Sequence, residues 1–448
     1  MWQRPFWLRK KACLKMSANR PQIETFGCRL NIWESEVMRE KAHEAGLNNA
    51  IIFNTCAVTA EAEKQARQSI RKWRKERPDA KIIVTGCAAQ INPAAWGDLA
   101  EVDYVIGNHD KLQTASWQGL ETGLLDPVHV TDVMTIKETA SHFIDEFDDH
   151  TRAFLQVQQG CDHRCTFCII PYGRGPSRSV GVGAVIEQVQ KLVAHGTNEV
   201  VLTGVDITSW GHDLPEQPRL GYLVKQILKF VPDLPRLRLS SIDPAEPDHQ
   251  LMDAIATEDR LMPHLHLSVQ HGDDLILKRM KRRHLARDVS RFVDEARRLR
   301  PDVVFGADMI AGFPTEDEDA HQHSLDLIRD CQISLLHVFG YSPREGTPAA
   351  KMPQIDGQLI KSRSRDLRTL GTSILHDMLD RQIGQHDEIL IESGQQGHLR
   401  NFTKAKLNAT APLYDKGTIM KVVITGREGD ILQVQPATQA EAAEGNHG

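Results

Sequence analysis

Short apolar runs alternate with amphipathic segments over the first hundred residues. The apolar runs lie at 23–28, 50–56, 81–87 and 103–108, and each of the first three is followed by a segment with helical periodicity. This alternation predicts a parallel α/β sheet, because a crossover helix joins each strand to the next parallel strand. We therefore predict an N-terminal α/β domain over residues 22–108.

A second series of apolar runs and helical segments follows between residues 151 and 376. Its six predicted strands lie at 153–159, 199–204, 236–241, 264–270, 303–313 and 335–341. Six βα units are too few for a closed eight-stranded barrel. The pattern predicts a partial (β/α)6 barrel of the TIM type, and the fold class is α/β.

The remaining segments have a different pattern of apolar and polar residues. Residues 377–437 carry short β runs separated by glycines and polar turns, as in a small β-barrel. Residues 109–150 have weak periodicity and an acidic end, which indicates a linker. The basic extension 1–21 and the Ala/Glu-rich tail 438–448 are predicted to be disordered.

The overall composition is that of an ordinary globular protein. The chain has 448 residues, 40% of them hydrophobic, and a mean hydropathy of -0.38. No stretch reaches the ~20 apolar residues of a membrane span, so we expect no membrane partner. The first fifteen residues are basic but lack a continuous apolar run, so they do not predict a secretory signal. These features favour a cytoplasmic protein.

The net charge of -6 gives no general sign of nucleic-acid binding, but basic residues cluster locally. Residues 64–77 hold seven basic residues and one acidic residue, and a second basic run spans 278–284. In the predicted helix 60–77, one face carries Arg67, Arg71 and Arg74. The stripe predicts contacts to RNA phosphates, and the alternative is a solvated helix face.

The predicted C-terminal barrel offers an aromatic residue beside two cations. Phe402 is followed by Lys404 and Lys406. An aromatic ring stacks on a base while lysines bind phosphates, so we predict RNA binding here too. We expect the RNA to be held from both ends, between the N-terminal and C-terminal domains.

Three cysteines lie within eight residues, in the run G-C-D-H-R-C-T-F-C. Cys161, Cys165 and Cys168 are spaced so that one loop can wrap its thiolates around one metal centre. Three thiolates are one too few to close a tetrahedral structural zinc site, and too few to ligate every iron of a four-iron cluster. A cluster held in this way keeps one iron open for another ligand. A zinc site and an accidental group of thiols are the alternatives.

Three further cysteines end the first three predicted strands. Cys28, Cys56 and Cys87 follow successive apolar runs. Sites in parallel α/β sheets form at the carboxyl ends of the strands, so we expect the three thiols to converge on a second metal site. The alternative is three buried structural thiols. Eight cysteines in all are too sparse for a disulfide scaffold and indicate metal ligation in a reducing compartment.

Together these features resemble a known enzyme family. The C-x-x-x-C-x-x-C spacing, with Phe167 before the last cysteine, resembles the radical S-adenosylmethionine (SAM) enzymes. The motifs G-C-R-L-N, N-T-C-A-V-T, T-G-C-A-A-Q and C-T-F-C-I-I-P-Y-G-R-G, with a terminal small barrel, resemble the methylthiotransferases over residues 22–436. The resemblance implies two [4Fe-4S] clusters, SAM as a cofactor and a C-terminal TRAM domain that binds RNA. The triads Cys161/Cys165/Cys168 and Cys28/Cys56/Cys87 would ligate the two clusters.

Within the family, the chain resembles the branch that modifies N6-threonylcarbamoyladenosine beside the tRNA anticodon. Stretches such as L-T-G-V-D-I-T-S and D-M-I-A-G-F-P-T-E carry this likeness, whereas Ala88, His271 and Gly340 depart from the usual pattern. The implied partners are tRNA, a reducing electron-donor protein and a sulfur donor. Alternative substrates are N6-isopentenyladenosine in tRNA and an aspartate of a ribosomal protein. A non-catalytic iron–sulfur RNA-binding protein is the alternative from another class.

The resemblance also implies SAM contacts at the ends of the barrel strands. These are Gly204, Asp206, Ser240, Ser241, Asp243, Gln270, Ile310 and Gly312. For each of them, ordinary loop chemistry is the alternative. Asp308 and His266 are interpreted as structural. Because two clusters must face one substrate, we expect the N-terminal sheet to cap the open mouth of the barrel.

Overall fold

The N-terminal domain is a parallel sheet flanked by helices. The computed structural model describes residues 21–136, 151–245, 247–409 and 411–437. Five parallel strands follow one another across the sheet in chain order: β1 (Gln22–Thr25), β2 (Ala50–Thr55), β3 (Lys81–Gly86), β4 (Tyr104–Ile106) and β5 (Val128–His129). The accompanying helices are α1 (Arg29–Glu44), α2 (Ala60–Glu76), α3 (Cys87–Ile91), α4 (Pro93–Gly97) and α5 (Thr114–Thr122). The predicted parallel α/β domain is confirmed.

The N-terminal sheet extends beyond its predicted end. Residues 110–136, which weak periodicity assigned to a linker, carry α5 and β5, and β5 pairs with β4. Trp117 of α5 is fully buried and donates a hydrogen bond from Nε1 to the Lys111 carbonyl at 2.9 Å. A two-residue strand and a short helix leave too few positions for a clear period. The predicted basic extension, the rest of the linker and the tail fall outside the described residues, except for Pro21.

The central domain is the predicted partial barrel. Its parallel strands are β6 (Arg152–Gln156), β9 (Glu199–Thr203), β10 (Arg236–Leu239), β11 (His264–Gln270), β12 (Val304–Ala311) and β13 (Leu335–Gly340). They form two three-stranded sheets, which the parallel bridges Leu237–Leu261 and Ile242–Leu267 join. A short hairpin of β7 (Gln158–Gln159) and β8 (Arg178–Ser179) follows β6. Because β6 and β13 are edge strands, the barrel is open between them.

Helices cover the outside of this barrel. They are α7 (Val182–Ala194), α8 (Leu220–Phe230), α9 (His249–Thr257), α10 (Asp274–Arg279), α11 (Ala286–Leu299) and α12 (Glu318–Asp330), whereas the short helix α6 (Ile170–Arg174) packs on α3 of the N-terminal domain. Apolar residues at helical spacing bury one face of each long helix against the strands. On α11, for example, Val289, Phe292, Val293 and Ala296 are all buried. One continuous apolar core therefore holds strands and outer helices together.

The C-terminal domain is a closed five-stranded barrel. Its strands are β14 (His386–Ser393), β15 (Gln396–Leu399), β16 (Lys404–Leu407), β17 (Ile419–Glu428) and β18 (Ile431–Pro436), in the order β14-β15-β16-β18-β17. The long helix α13 (Gly357–Gln382) leads into it and crosses the boundary predicted at residues 376–377. Leu379 of this helix is buried in the core of the small barrel, so helical periodicity continues past the predicted boundary.

Charged side chains fill the end of the central barrel that the small barrel closes. Glu199 is fully buried and forms ion pairs with Arg152 and with Arg238, the latter at 2.9 Å. Arg238 also donates to the Leu399 carbonyl at 3.0 Å, and Arg152 pairs with Glu392 at 2.7 Å. These bonds cross between the two barrels. The small barrel is thus joined to the central barrel through buried charges.

Candidate metal centres and active site

The three N-terminal cysteines meet at the carboxyl edge of the sheet, as predicted. Cys28 precedes α1, Cys56 follows β2, and Cys87 begins α3. Gly27 has a φ of +98°, and a Cβ there would lie 2.8 Å from the sulfur of Cys56. Gly86 has a φ of +97°, and a Cβ there would lie 2.3 Å from the Thr55 carbonyl oxygen. Only glycine allows these approaches, and they bring the cysteines together.

The thiols of this first triad are free and are set among polar donors. Cys56 and Cys87 are buried, whereas Cys28 keeps solvent contact. Burial, and then the charges of Cys28 and Cys87, raise the pKa of Cys56 to about 12. Arg174 Nε lies 3.2 Å from Cys87 Sγ, and Asn108 Nδ2 lies 3.6 Å from it. These N–H groups are placed to donate hydrogen bonds to a metal-bound sulfur.

A buried charge network holds Arg174 against this triad. The Arg174 guanidinium pairs with the Glu34 carboxylate and donates to Asn31 Oδ1 at 2.5 Å. Lys111 Nζ binds the second oxygen of Glu34 at 2.7 Å. Burial opposes the charge of Glu34, but Arg174 and Lys111 outweigh it and lower the pKa of this carboxyl. The sequence analysis assigned no role to these residues. The motif C-I-I-P-Y-G-R-G contains the arginine, but its partners are distant in the chain.

The second triad lies on the loop between β7 and α6. The loop starts at Gly160, whose φ is +73° and where a Cβ would lie 1.8 Å from the Pro176 carbonyl oxygen. Cys161 N donates to Gly175 O at 3.1 Å, and Thr166 N donates to Met280 O at 3.0 Å. The Phe167 ring meets Phe313 edge to face, 6.4 Å between ring centres. These contacts fix the loop while the three thiols stay half-buried.

Charged groups also surround the second triad. Burial, followed by the Asp206 carboxylate, raises the pKa of the Cys161 thiol to about 12. Arg282 Nη1 lies 3.6 Å from Cys165 Sγ, and its Nη2 lies 2.8 Å from Asp243. Each triad therefore has an arginine beside one sulfur, which offsets the negative charge of bound thiolates.

The two triads lie side by side across one domain interface. A Cβ on Gly173 of α6 would lie 3.2 Å from Cys87 Cβ, so the segment after the second triad packs directly on the first. The pKa of Cys168 is raised to about 12, mainly by burial, and the charge of Cys87 contributes. Arg174 follows Cys168 by six residues and contacts Cys87. The N-terminal sheet thus faces the barrel mouth, as expected.

Several predicted SAM-contact residues lie next to the second triad. Asp206 accepts hydrogen bonds from Ser209 Oγ at 2.7 Å and lies 2.9 Å from His163 Nε2. Its carboxylate, the Cys161 sulfur and an imidazole nitrogen of His163 all lie within 4.8 Å of one another. Asp243 is linked to Cys165 through Arg282. Neither His163 nor Arg282 was predicted as a site residue from the sequence. Arg282 lies in the basic run 278–284, which was considered only for its positive charge.

The other predicted SAM-contact residues occupy the strand ends in different ways. Gly204 lies against Gln158, whose carbonyl oxygen would be 2.8 Å from a Cβ there, and Gln270 has a φ of +71° at a bulge. Ser240 is buried and Ser241 half-buried. Ile310 packs in the cluster that includes Phe167. Gly312 instead faces α13, where its Cβ would lie 2.5 Å from Ile360, so its position serves helix packing. As ligand contacts, all eight stay predictions.

The arginine stripe predicted on α2 is largely turned toward the protein. Arg74 donates to the carbonyls of Glu101 and Ala80, the latter at 2.8 Å, and pairs with Asp103. Arg67 stacks over the Trp96 ring at 4.3 Å. Arg71 is 57% exposed and weakly paired with Glu101 at 3.7 Å. Arg67 and Arg74 are therefore engaged within the protein, and the RNA contacts of the three arginines stay a prediction.

In the small barrel, the two predicted lysines are exposed, whereas the predicted aromatic ring makes contacts within the protein. Lys404 and Lys406 are exposed on β16. Phe402 is not free to stack on a base, because its ring stacks on His264 at 4.9 Å and on His398 at 4.6 Å between ring centres. The small barrel docks on the central barrel through this ring, and RNA binding by Phe402, Lys404 and Lys406 stays a prediction. Among the described residues, no helix is long and apolar enough to cross a membrane.

Comparison with known proteins agrees with this geometry. Residues 155–328 match the Radical SAM superfamily, and residues 20–107 match the Uncharacterized protein family UPF0004. The threonylcarbamoyladenosine tRNA methylthiotransferase MtaB of Rickettsia prowazekii (strain Madrid E) is 51% identical over 409 residues, which cover 91% of this chain and 96% of the relative. The chain belongs to the methylthiotransferase family of radical SAM enzymes. Its predicted family is confirmed.

Two further relatives and one solved structure are also similar to this methylthiotransferase. The Thermotoga maritima (strain ATCC 43589 / DSM 3109 / JCM 10099 / NBRC 100826 / MSB8) protein of the same name is 35% identical, covering 83% of this chain and 86% of the relative. The tRNA-2-methylthio-N(6)-dimethylallyladenosine synthase of Paracoccus denitrificans (strain Pd 1222) is 31% identical, covering 90% and 94%. The radical SAM methyltransferase TsrM from Kitasatospora setae shares the fold, with a TM-score of 0.53 and 15% identity over 72% of this chain and 67% of that one.

The cofactors of the methylthiotransferase are SAM and two [4Fe-4S] clusters. The donor sets fit them, because each triad consists of free thiols with an arginine beside one sulfur. Three thiolates leave one iron of a four-iron cluster without a protein ligand. Asp206 and His163 lie beside Cys161 and are polar groups available to a ligand bound at this triad.

Proposed function

We propose that this methylthiotransferase adds a methylthio group to carbon 2 of N6-threonylcarbamoyladenosine beside the anticodon of tRNA. The observation that carries the proposal is the arrangement of two cysteine triads on either side of one domain interface. Arg174 spans that interface, from the segment after Cys168 to the sulfur of Cys87. A reaction that must activate a carbon and deliver sulfur to it needs two such centres next to one substrate.

The protein residues organise this chemistry. Cys161, Cys165 and Cys168 would hold the cluster at which bound SAM would supply the one-electron chemistry that an unreactive ring carbon requires, and Cys28, Cys56 and Cys87 would hold the cluster that would supply sulfur. Gly160 and the backbone bonds of the loop hold the second triad at the barrel mouth. Arg174, fixed by Glu34, holds positive charge at the first triad.

Sequence identity supports the threonylcarbamoyl substrate over the alternatives. The Rickettsia relative, named for threonylcarbamoyladenosine, is 51% identical, whereas the Paracoccus relative, named for dimethylallyladenosine, is 31% identical. The chemistry further requires a reducing electron-donor protein and a sulfur donor. A tRNA substrate and free thiols fit a cytoplasmic site of action.

Nucleoside mass spectrometry of tRNA tests the substrate. A strain that lacks the gene should lose 2-methylthio-N6-threonylcarbamoyladenosine and accumulate the precursor without the methylthio group. The wild-type gene and a Cys331→Ala variant, in which the changed thiol belongs to neither triad, should restore the product. Cys161→Ala and Cys87→Ala should not. If the strain instead loses 2-methylthio-N6-isopentenyladenosine, the substrate assignment is wrong.

Iron content and SAM cleavage separate the roles of the two triads. After anaerobic reconstitution, Cys161→Ala, Cys165→Ala or Cys168→Ala should each retain about half the iron and lose reductive SAM cleavage. A Cys28/Cys56/Cys87 triple alanine variant should also retain about half the iron, but should still cleave SAM and make no methylthiolated tRNA. Undiminished cleavage in a variant of the second triad would contradict its role, and methylthiolated tRNA from the triple variant would contradict sulfur delivery.

A further inference from the structure

Arg29 reaches into the central barrel from its open side. It is the first residue of α1, directly after Cys28, and α1 packs against the edge strand β6. Its guanidinium lies 5.6 Å from the centre of the Phe402 ring. Its charge interacts with Arg152 on β6, Arg238 on β10 and Asp308 on β12. A group close to three strands around the barrel lies in the lumen.

Arg29 makes no close ion pair with the residues that the structure describes, and the carboxylates that act on its charge, Asp308 and Glu199, are bound by other side chains. Its cationic neighbours Arg152 and Arg238 are already paired with Glu199. The Asp308 carboxylate is taken by His266 Nε2 at 3.0 Å and His337 Nδ1 at 3.2 Å. No hydrogen bond or ion pair joins Arg29 to any described residue. Arg29 is half-buried, and a cation partly removed from water without a partner is stabilised by an anionic ligand.

A metal ion fits this part of the lumen less well than an anion. His266, Asp308 and His337 bring three potential ligand atoms within 4.8 Å of one another. However, the Arg29 guanidinium, which has no close ion pair, acts on the same Asp308 carboxylate, and its fixed positive charge repels a cation there. The charge balance therefore favours a carboxylate or a similar anion at Arg29.

An exposed aromatic ring stands above this site. Phe339 on β13 is 43% exposed. It lies two residues after His337, on the same face of the strand and about 6.6 Å along it. In the parallel register it is paired with Ile310, at the end of β12 nearest the second triad. Phe339 thus offers a stacking surface between the cysteine loop and the cation in the lumen.

We propose that Arg29 binds the carboxylate of the amino-acid group on the N6 atom of the substrate adenine, while the base stacks on Phe339. The assignment rests on the proposed function and adds the residue that recognises the substrate. A guanidinium binds a carboxylate through two parallel hydrogen bonds, which no neutral N6 substituent can reproduce. Because Arg29 adjoins Cys28, recognition of the carboxylate also places the base beside the first triad.

The test compares two anticodon stem-loop RNAs, one with the threonylcarbamoyl group as free acid and one with it as primary amide. Binding to the full-length protein and apparent KM and kcat are measured for wild type, Arg29→Gln, Arg29→Lys and Arg39→Gln. Arg39 lies on the same helix about 15 Å away, which makes it a matched control. Iron content and SAM cleavage without RNA check that the neighbouring cluster is intact.

The wild type and Arg39→Gln should bind the acid about 10- to 100-fold more tightly than the amide. Arg29→Gln should bind both RNAs equally, through loss of affinity for the acid alone, with a raised KM. Arg29→Lys should recover part of the preference. If the wild type handles acid and amide equally, or if Arg29→Gln keeps the preference, the role of Arg29 is refuted. If the wild type methylthiolates neither RNA, the proposed function itself fails.

Discussion

At the scale of single residues, Glu34 sets the charge balance beneath the first triad. It is fully buried and binds both Arg174 and Lys111. Without its negative charge, two buried cations would face each other, and Arg174 would lose the partner that holds it against Cys87. One carboxylate therefore links the stability of the N-terminal domain to the geometry of the metal centre.

The pH dependence of unfolding tests this role. The pKa of Glu34 is lower in the folded protein than the unfolded value of about 4.3, so its contribution to stability is complete above that pH and is lost as the pH falls below it. Glu34→Gln should lower stability at pH 7 by about 3–5 kcal/mol, since it leaves two buried cations unpaired. It should also flatten the acid limb of Tm against pH.

The control for this experiment is Glu44→Gln at the exposed end of the same helix. It should match the wild type at every pH. If Glu34→Gln keeps the wild-type Tm at neutral pH, or shows the same loss of Tm between pH 5 and pH 3.5, the carboxylate does not carry this charge network.

At the scale of elements, helix α2 carries two groups of cations: arginines that contact neighbouring loops, and lysines that are exposed to solvent. Arg67 and Arg74 are turned toward neighbouring loops, where carbonyl oxygens and the Trp96 ring bind them. The exposed face instead carries Lys64, Lys72 and Lys75, at spacings of eight and three residues. If α2 contacts tRNA phosphates, these lysines and Arg71 are the side chains placed to do so.

A salt series of tRNA binding tests the exposed face of α2. Lys64→Gln/Lys72→Gln/Lys75→Gln should weaken binding and reduce the log–log salt slope by roughly one unit per lost contact. Arg74→Gln should lower Tm, because several carbonyls lose their donor, and should leave the salt slope unchanged. Arg291→Gln/Arg298→Gln on the outer helix α11 is the control for charge. Equal slopes in the lysine variant and the wild type would show that α2 is only a solvated surface.

At the scale of the whole molecule, the C-terminal barrel has two roles. It exposes Lys404 and Lys406 to solvent, and it closes one end of the central barrel. Phe402 lies between His264 and His398, and the guanidiniums of Arg152 and Arg238 lie 5.2 and 5.0 Å from its ring centre. Deletion of the small barrel would expose these buried charges. Truncation is therefore a poor test of RNA binding, and single substitutions separate the two roles.

Phe402→Ala and Lys404→Gln/Lys406→Gln provide that separation. Phe402→Ala should destabilise the protein by about 2–3 kcal/mol, because a half-buried ring and its stacking contacts are lost. Phe402→Leu, which keeps most of the volume, should fall between the alanine variant and the wild type. The lysine variant should keep the wild-type Tm and bind tRNA more weakly. An unchanged Tm with weaker tRNA binding in Phe402→Ala would restore the base-stacking role.

By itself, the sequence determined the three-domain order, the partial barrel and both cysteine triads. Period-two and helical patterns specify strands and helices locally, and a C-x-x-x-C-x-x-C loop carries its metal-binding geometry within eight residues. Cys28, Cys56 and Cys87 were predictable as a group because parallel strands end at one edge of a sheet. Each of these inferences depends on spacing along the chain.

Which charges are paired could be seen only in the folded molecule. Arg174 meets Glu34 across 140 residues of sequence, and Arg152 meets Glu392 across 240. Arg67, Arg74 and Phe402 look like an RNA-binding surface in the sequence but are used to pack domains and loops. Arg29, in contrast, is one cation among many in the sequence and is unpaired among the described residues. Local pattern cannot show such pairings, because a charged side chain pairs with whatever the fold brings near it.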